Sequence, residues 1–229
     1  MKSPQILKDI LDFVYPPSCL LCEGRFEDFI PVCESCLSSL RQKIQVTSQS
    51  QKKEFQHILG DIYFDELIFF WNYSKDLETL IHWAKYSQGK RVGRKLGKMA
   101  GEVLADQKIL KKDTLLIPVP LHPFRLWKRG YNQSDFLASG ISKRCDIPIQ
   151  KKILKRKRHT KPQSKLNAEE RQTNVQEAFQ CTSLEIQDKT VYLVDDVATT
   201  GATLNNCSRA LKLSGVKKVF CVVLARPSL

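Results

Sequence analysis

Asp195 and Asp196 stand side by side behind a short apolar run, Val191-Tyr192-Leu193-Val194, and ahead of a turn that reads Ala198-Thr199-Thr200-Gly201-Ala202-Thr203. Two adjacent carboxylates offer paired acceptors for vicinal hydroxyls, or for the waters of a divalent cation. A turn rich in Thr and Gly that opens a helix offers backbone N–H groups and hydroxyls to a phosphate. Together they suit a sugar phosphate, with the carboxylates on the ribose hydroxyls and residues 198–203 on the 5′-phosphate. Asp195 and Asp196 are therefore the candidate catalytic pair. The plain alternative is an ordinary turn with two solvated aspartates, but the strand–turn–helix context that such a motif requires is present.

A strand ending in acidic residues also occurs in nucleotide triphosphatases, which need a G-x-x-x-x-G-K-[ST] loop as well. The nearest candidate, Gly93 to Met99, has the wrong spacing and no Ser or Thr after Lys98. That class is excluded.

Cys19, Cys22, Cys33 and Cys36 form two C-x-x-C knuckles separated by ten residues. Each knuckle brings two sulfurs to one tight turn, and two knuckles close a tetrahedral Zn²⁺ site with no position left open for substrate. The expected metal is thus structural Zn²⁺; a redox dithiol or a disulfide pair is the competing reading.

A second candidate phosphate site lies in Pro118 to Gln133, where Arg125, Lys128 and Arg129 precede Gly130, Tyr131 and Asn132. Guanidinium forks grip phosphate oxygens well, so Arg129 with the Asn132 amide fits the diphosphate end of a ligand. Further along, Lys155, Arg156, Lys157 and Arg158 lead into His159, Thr160, Lys161, Gln163 and Lys165. This basic stretch reads equally as a mobile cover over an anionic site and as a nucleic-acid contact. His159 reads as a surface residue.

The elements that must hold these groups follow from patterning. Apolar positions in 4–14 repeat as a helical stripe, and the polar, Gln/Ser-rich stretch 41–57 reads as a linker. Residues 62–73 read as a strand, 75–86 and 89–105 as helices, and 114–119 as a short buried strand. Asn132 or Ser134 opens a helix to about 144; 147–158 is extended; Asn167 starts a short helix. Residues 191–224 close the chain as strand, helix and strand. Alternating strands and helices predict an α/β fold with a parallel, doubly covered sheet. The expected organisation is a Cys-rich module over 1–40, a linker over 41–60, and a ligand-binding domain over 61–229.

The net charge of +13 is concentrated, with 23 Lys and Arg against 7 Asp and Glu between Lys85 and Arg171, and 14 against 17 elsewhere. Such a block suits polyanions or a highly charged ligand. No apolar run approaches the roughly 18–20 residues of a membrane span, so no membrane insertion is expected. Lys8, Asp9 and Asp12 interrupt any signal-peptide core, which predicts a cytoplasmic protein whose eight Cys are thiols or ligands.

The Asp195–Asp196 strand and Thr-rich turn resemble the phosphoribosyl-pyrophosphate loop of type I phosphoribosyltransferases. With the four-Cys module, the Pro118 to Gln133 segment and the Arg156-to-Phe179 segment, the order of motifs resembles the ComF/GntX family over nearly the whole chain. The resemblance implies a type I phosphoribosyltransferase-like fold, phosphoribosyl pyrophosphate held with Mg²⁺, and a role in DNA uptake and natural transformation. It implies ligand roles for Asp195, Asp196 and residues 198–203, including Ala198, Thr199, Thr200, Gly201, Ala202 and Thr203. The chemistry of the basic segments themselves makes Lys85, Arg129, Asn132 and Lys161 the pyrophosphate-side candidates, and Lys155, Arg156, Lys157 and Arg158 the nucleic-acid candidates. Single-stranded DNA and a competence-associated helicase are the partners to expect. An enzyme of the glycosyltransferase class and a non-catalytic DNA-binding factor both remain open. A glutaminase would need a cysteine at the mature N-terminus, whereas Cys19 sits inside the Cys-rich module, so glutamine-dependent amide transfer by this chain alone is not expected.

Overall fold

The computed structural model describes residues 18–25, 30–49, 52–86, 89–156, 178–183 and 185–227. The helical stripe at 4–14, the basic residues Lys157, Arg158 and Lys161 with His159, and the short helix expected at Asn167 lie outside the described residues.

Five strands form one sheet in the order β1-β2-β7-β6-β3. They are β1 (Thr47–Gln49), β2 (Glu66–Asn72), β3 (Thr114–Pro118), β6 (Thr190–Val197) and β7 (Lys218–Arg226). All neighbours run parallel except β1, which lies antiparallel on the edge beside β2. Because β6 lies second from the other edge, between β7 and β3, its carboxylates emerge between two strand ends. A smaller antiparallel ribbon pairs β4 (Leu154–Arg156) with β5 (Phe179–Cys181).

Strand residues alternate between two apolar layers, as a sheet covered on both faces requires. In β6, Tyr192 and Val194 enter one core while Val191 and Leu193 enter the other; in β7, Val222 and Leu224 face the first layer, and Val219, Cys221 and Val223 the second. Covering the first layer are α1 (Glu34–Gln42), α3 (Lys75–Ala84), α4 (Gly89–Asp106) and α6 (Gln133–Cys145). The second is covered by the ribbon, by α7 (Ala202–Leu213) and by Phe55 of α2 (Lys52–Leu59). The expected parallel, doubly covered α/β architecture is the one found.

Element boundaries follow local chemistry. Ser74 caps α3 by accepting from the Leu77 amide at 3.3 Å. Asn132 caps α6 by accepting from the Ser134 amide at 3.4 Å. A helix that patterning did not suggest, α5 (Pro123–Arg129), starts with Pro at its first turn under a His122 cap and stops at Gly130, whose φ is 76°. Proline suits a first turn and left-handed glycine suits a C-cap.

The segment 41–60 was expected as a linker and is built into the fold instead. Thr47 to Gln49 register against Phe69 to Leu67, and α2 carries Phe55 into the second core with no exposed surface. Its polar, Gln-rich composition hid one aromatic anchor. The Cys-rich segment is likewise continuous with the sheet. Val32, Leu37 and Leu40 share a core with β2, and the Trp71 indole donates to the Leu40 carbonyl at 3.0 Å. Burying each such Leu contributes roughly 1.5–3 kcal/mol, so the module is anchored by packing as well as by its cysteines.

Candidate phosphate and metal sites

After Val194 the strand turns polar at Asp195 and Asp196, at the carboxyl end of β6, where open α/β sheets place ligands. Asp195 Oδ1 accepts from the Ser134 hydroxyl and from the Asp196 amide, both at 2.9 Å. Asp196 Oδ1 accepts from the Val197 amide at 2.9 Å. Its other oxygen, Oδ2, lies 3.0 Å from Lys85 Nζ, yet it accepts no hydrogen bond of good angle. That contact is a charge pair rather than a directed bond, which leaves a buried acceptor with a lone pair to offer.

Burial first, then the Asp196 charge, push the Asp195 carboxyl upward, against the donors Asp196 N–H and Ser134. Part of the residue still faces the open site, but its carboxylate is enclosed enough for burial to dominate. Two acids this close resist ionising together, and a dication or a set of ligand hydroxyls would relieve that tension.

The turn that follows is fixed from below. Ala198 is buried and donates to the Ala225 carbonyl at 3.1 Å, while Thr199, Thr200 and Thr203 are exposed. Gly201 precedes α7 with φ 72° and no side-chain cap. The first α7 N–H, that of Ala202, donates to the Thr200 hydroxyl at the long distance of 3.4 Å, so this helix end can exchange that contact for an anion. A Cβ at 201 would lie 2.8 Å from Phe55 Cε1, so the turn rests on the aromatic anchor of α2. Asn205 then ties α7 to the residues before β2, accepting from the Tyr63 amide and donating to the Asp61 carbonyl, each at 2.8 Å.

A cavity of about 220 Å³ opens over this edge. Lys85, Arg125, Arg129 and Arg156 line it opposite Asp195 and Asp196, and Thr203 lines it as well. Arg156 stacks over the Phe179 ring at 5.3 Å. Its pKa is lowered by burial and then by the Arg125 charge, so two guanidiniums are crowded together beside the space. An anion there would relieve the crowding.

The four N-terminal sulfurs also meet. The Sγ atoms of Cys19, Cys22, Cys33 and Cys36 all lie within 4.8 Å of one another, with Cys22 and Cys33 3.7 Å apart. Four thiolates at about 2.3 Å from one Zn²⁺ stand roughly 3.8 Å apart, so the donor set fits that ion. The Cys33 and Leu21 amides point at Cys19 Sγ at 3.3 and 3.5 Å, as backbone donors to a thiolate would. Cys33 is drawn down to about 6, first by its contact with Ser35 and then by Cys36, whereas burial and the other thiols push Cys36 up. The cluster resists losing all its protons unless a cation compensates.

Residues 127–228 match the phosphoribosyl transferase domain family. Competence protein F of Haemophilus influenzae is 35% identical over 213 residues, covering 91% of this chain and 90% of the relative. The chain belongs to the ComF family of phosphoribosyltransferase-fold proteins. DNA utilization protein YhgH of Escherichia coli K12 is 32% identical over 158 residues, 68% of this chain and 69% of the relative. Competence protein ComFC of Streptococcus pneumoniae is 29% identical over 131 residues, 57% of this chain and 56% of the relative.

Within this ComF-family site, the sequence candidates separate by position. Lys85 and Arg129 reach the cavity beside Asp195 and Asp196. Asn132 does not line it: its amide donates to the Val119 carbonyl at 2.9 Å and to Asp135 at 3.3 Å while its oxygen caps α6. Asn132 thus holds the turn that presents Arg129. Arg156, grouped by sequence with the nucleic-acid candidates, lines the cavity, while its neighbour Lys155 is exposed on β4. A strand's two-residue alternation explains the split. Arg125 and Gln133, which patterning placed in the second candidate phosphate segment without a ligand role of their own, line the cavity, and patterning missed Ser134 there. The signal for Ser134 existed, since it begins the helix after the basic turn, but the contact to Asp195 spans 61 residues.

Proposed function

We propose that this chain binds phosphoribosyl pyrophosphate with Mg²⁺ at the carboxyl end of β6 and works in DNA uptake, a role in keeping with relatives named for competence and for DNA utilization. The observation that carries the reading is the cavity in which two carboxylates face Lys85, Arg125, Arg129 and Arg156 beside the turn of residues 198–203. Asp195 and Asp196 take the ribose hydroxyls, directly or through metal-bound water. Thr199, Thr200, Thr203 and the first α7 N–H groups hold the 5′-phosphate. The four cations meet the diphosphate, where forked donors and fixed positive charge favour its departure. Mg²⁺ would be held by Asp195 and Asp196, directly or through water, and would supply charge neutralisation to the diphosphate. Ser134 keeps Asp195 oriented, and Lys85 offsets the charge of Asp196 until the ligand arrives. Zn²⁺ held by Cys19, Cys22, Cys33 and Cys36 is structural.

Calorimetric titration with phosphoribosyl pyrophosphate tests the binding. The wild type should bind only weakly without Mg²⁺, and Asp195→Asn with Asp196→Asn should weaken Mg²⁺-dependent binding at least tenfold. Binding that is insensitive to both Mg²⁺ and the double substitution would remove the site from this edge.

A second reading has its own observation. Phe124 and Trp127 on α5 are 63% and 80% exposed, and Arg125, Lys128 and Arg129 alternate with them. Exposed rings interleaved with cations are a stacking platform for single-stranded nucleic acid. A non-catalytic DNA-binding factor would use α5 in this way and keep the ribosyl site for regulation.

A further inference from the structure

Helices α4 and α6 approach closely enough to need glycine. A Cβ on Gly97 would fall 2.2 Å from the Leu137 carbonyl oxygen, and one on Gly140 would fall 2.4 Å from that of Arg94. Glycine inside a helix costs roughly 1 kcal/mol relative to alanine, so the near contact is obtained against local propensity. Its consequence is on the outer surface. The ridges flanking the seam converge and bring Arg91, Arg94, Lys95 and Lys98 of α4 together with Lys143 and Arg144 of α6 around a groove of about 520 Å³.

This groove shares no lining residue with the cavity over Asp195 and Asp196. No carboxylate lines it among the described residues. Arg94 is braced 4.8 Å over the Phe136 ring, and Lys95 reaches Glu34 at 3.8 Å, a carboxylate that is itself 75% exposed. Among the described residues no acidic group lies within 4.0 Å of Lys98, Lys143 or Arg144. Like charges gathered on both walls of one groove repel one another, and a row of phosphates between them reverses the sign of that energy.

We infer that the α4–α6 groove is a binding site for the sugar-phosphate backbone of single-stranded nucleic acid, separate from the ribosyl-phosphate cavity. Three features select that occupant. Cations stand on both walls of a concave channel, which suits a thin flexible polyanion running between them. None of the exposed large apolar side chains among the described residues belongs to α4 or α6, so the walls lack the insertion that membrane-surface helices use. The Arg and Lys donors contact phosphates without reading bases, as sequence-independent uptake of a strand requires. The choice of nucleic acid rests on the DNA-uptake reading; the location of the site does not.

Fluorescence anisotropy with a fluorescein-labelled oligothymidylate tests the groove. Lys98→Gln with Lys143→Gln should reduce the salt dependence of log affinity by about 1.4, because each phosphate contact on a single strand contributes about 0.7. Lys98→Glu with Lys143→Glu should weaken binding tenfold or more at low salt. Lys112→Glu with Lys189→Glu, an equal charge change at exposed sites off the groove, should leave it within twofold. An unchanged metal content and Mg²⁺-dependent phosphoribosyl-pyrophosphate titration identify variants that remain folded. If wild type binds the strand and the groove variants match it, the groove is overturned while the uptake reading stands. If wild type does not bind it at all, both fall. Loss of binding to anionic phosphatidylserine vesicles without loss of strand binding would assign the groove to a membrane surface and overturn the inference.

Discussion

Replacing Gly201 by alanine strains the turn before α7 in two separable ways. Its φ of 72° is left-handed, where an L side chain costs roughly 1–2 kcal/mol. The added Cβ would also lie 2.8 and 3.0 Å from two atoms of the Phe55 ring, closer than real contacts permit. Phe55 is fully buried and carries the Arg226 guanidinium 4.8 Å over its face, so it has little room to retreat. Overpacking of this kind costs about 1–3 kcal/mol, giving a total of roughly 2–5 kcal/mol. For a domain of this size each kcal/mol lowers the melting temperature by about 2–4 °C, so Gly201→Ala should melt roughly 4–20 °C below wild type. Scanning calorimetry of Gly201→Ala, Phe55→Leu and the double variant separates the two parts. The smaller Leu side chain should return the steric share, leaving a non-additive gain of about 1 kcal/mol or more in the double variant, while the backbone share remains. Strictly additive losses, or a single variant that melts with wild type, would refute the claim that Phe55 supports the turn.

Three further outcomes are expected. Asp195, raised to about 8 chiefly by burial and then by Asp196, holds its proton in the fold above the pH at which the unfolded chain releases it. Its stabilising contribution is therefore full below about pH 4 and is lost as pH rises through about 8. The ligand-free melting temperature should fall across that window, and Asp195→Asn should flatten the fall; a rise with pH in wild type alone would contradict it. Elemental analysis should find about one Zn²⁺ per chain, with Cys36→Ser well below that and melting earlier, because four thiolates are needed to close a structural site; full occupancy in the variant would count against the four-sulfur cluster. Trp127→Ala should change stability by less than about 0.5 kcal/mol, since the ring is 80% exposed, while weakening single-strand binding by about 1–3 kcal/mol if α5 stacks on bases; unchanged affinity removes the second reading.

Local signals were legible wherever one stretch of chain settled the matter. The run Val191 to Val194 reads as a strand buried on both faces, with Asp195 and Asp196 at its carboxyl end, and so it is found. Ser74 and Asn132 announced their helices as caps. The two C-x-x-C knuckles carried their own geometry, and their sulfurs do meet. What sequence could not supply was partnership over long separations. Ser134 meets Asp195 across 61 residues, and Phe55 meets Gly201 across 146, so neither role has a local pattern. The linker reading of 41–60 failed for the same reason, because the value of Phe55 lies in what it packs against.

Charge shows the limit most clearly. The excess of cations between Lys85 and Arg171 reads along the chain as one basic block, and a block suggests one surface. Folding sends its members to different places. Lys85, Arg125, Arg129 and Arg156 turn toward the carboxylates of β6, whereas Arg91, Arg94, Lys95, Lys98, Lys143 and Arg144 gather along the glycine seam of α4 and α6. The division follows from topology: the end of α3, helix α5 and β4 bring their cations to the carboxyl edge of the sheet, while α4 and α6 cross its face and show theirs outward. On the proposed reading one set meets a compact diphosphate and the other an extended polyanion, and keeping the two sets apart serves both. If they formed a single patch, each ligand would compete for the charges of the other. Saturating phosphoribosyl pyrophosphate should then leave oligothymidylate affinity at the groove nearly unchanged.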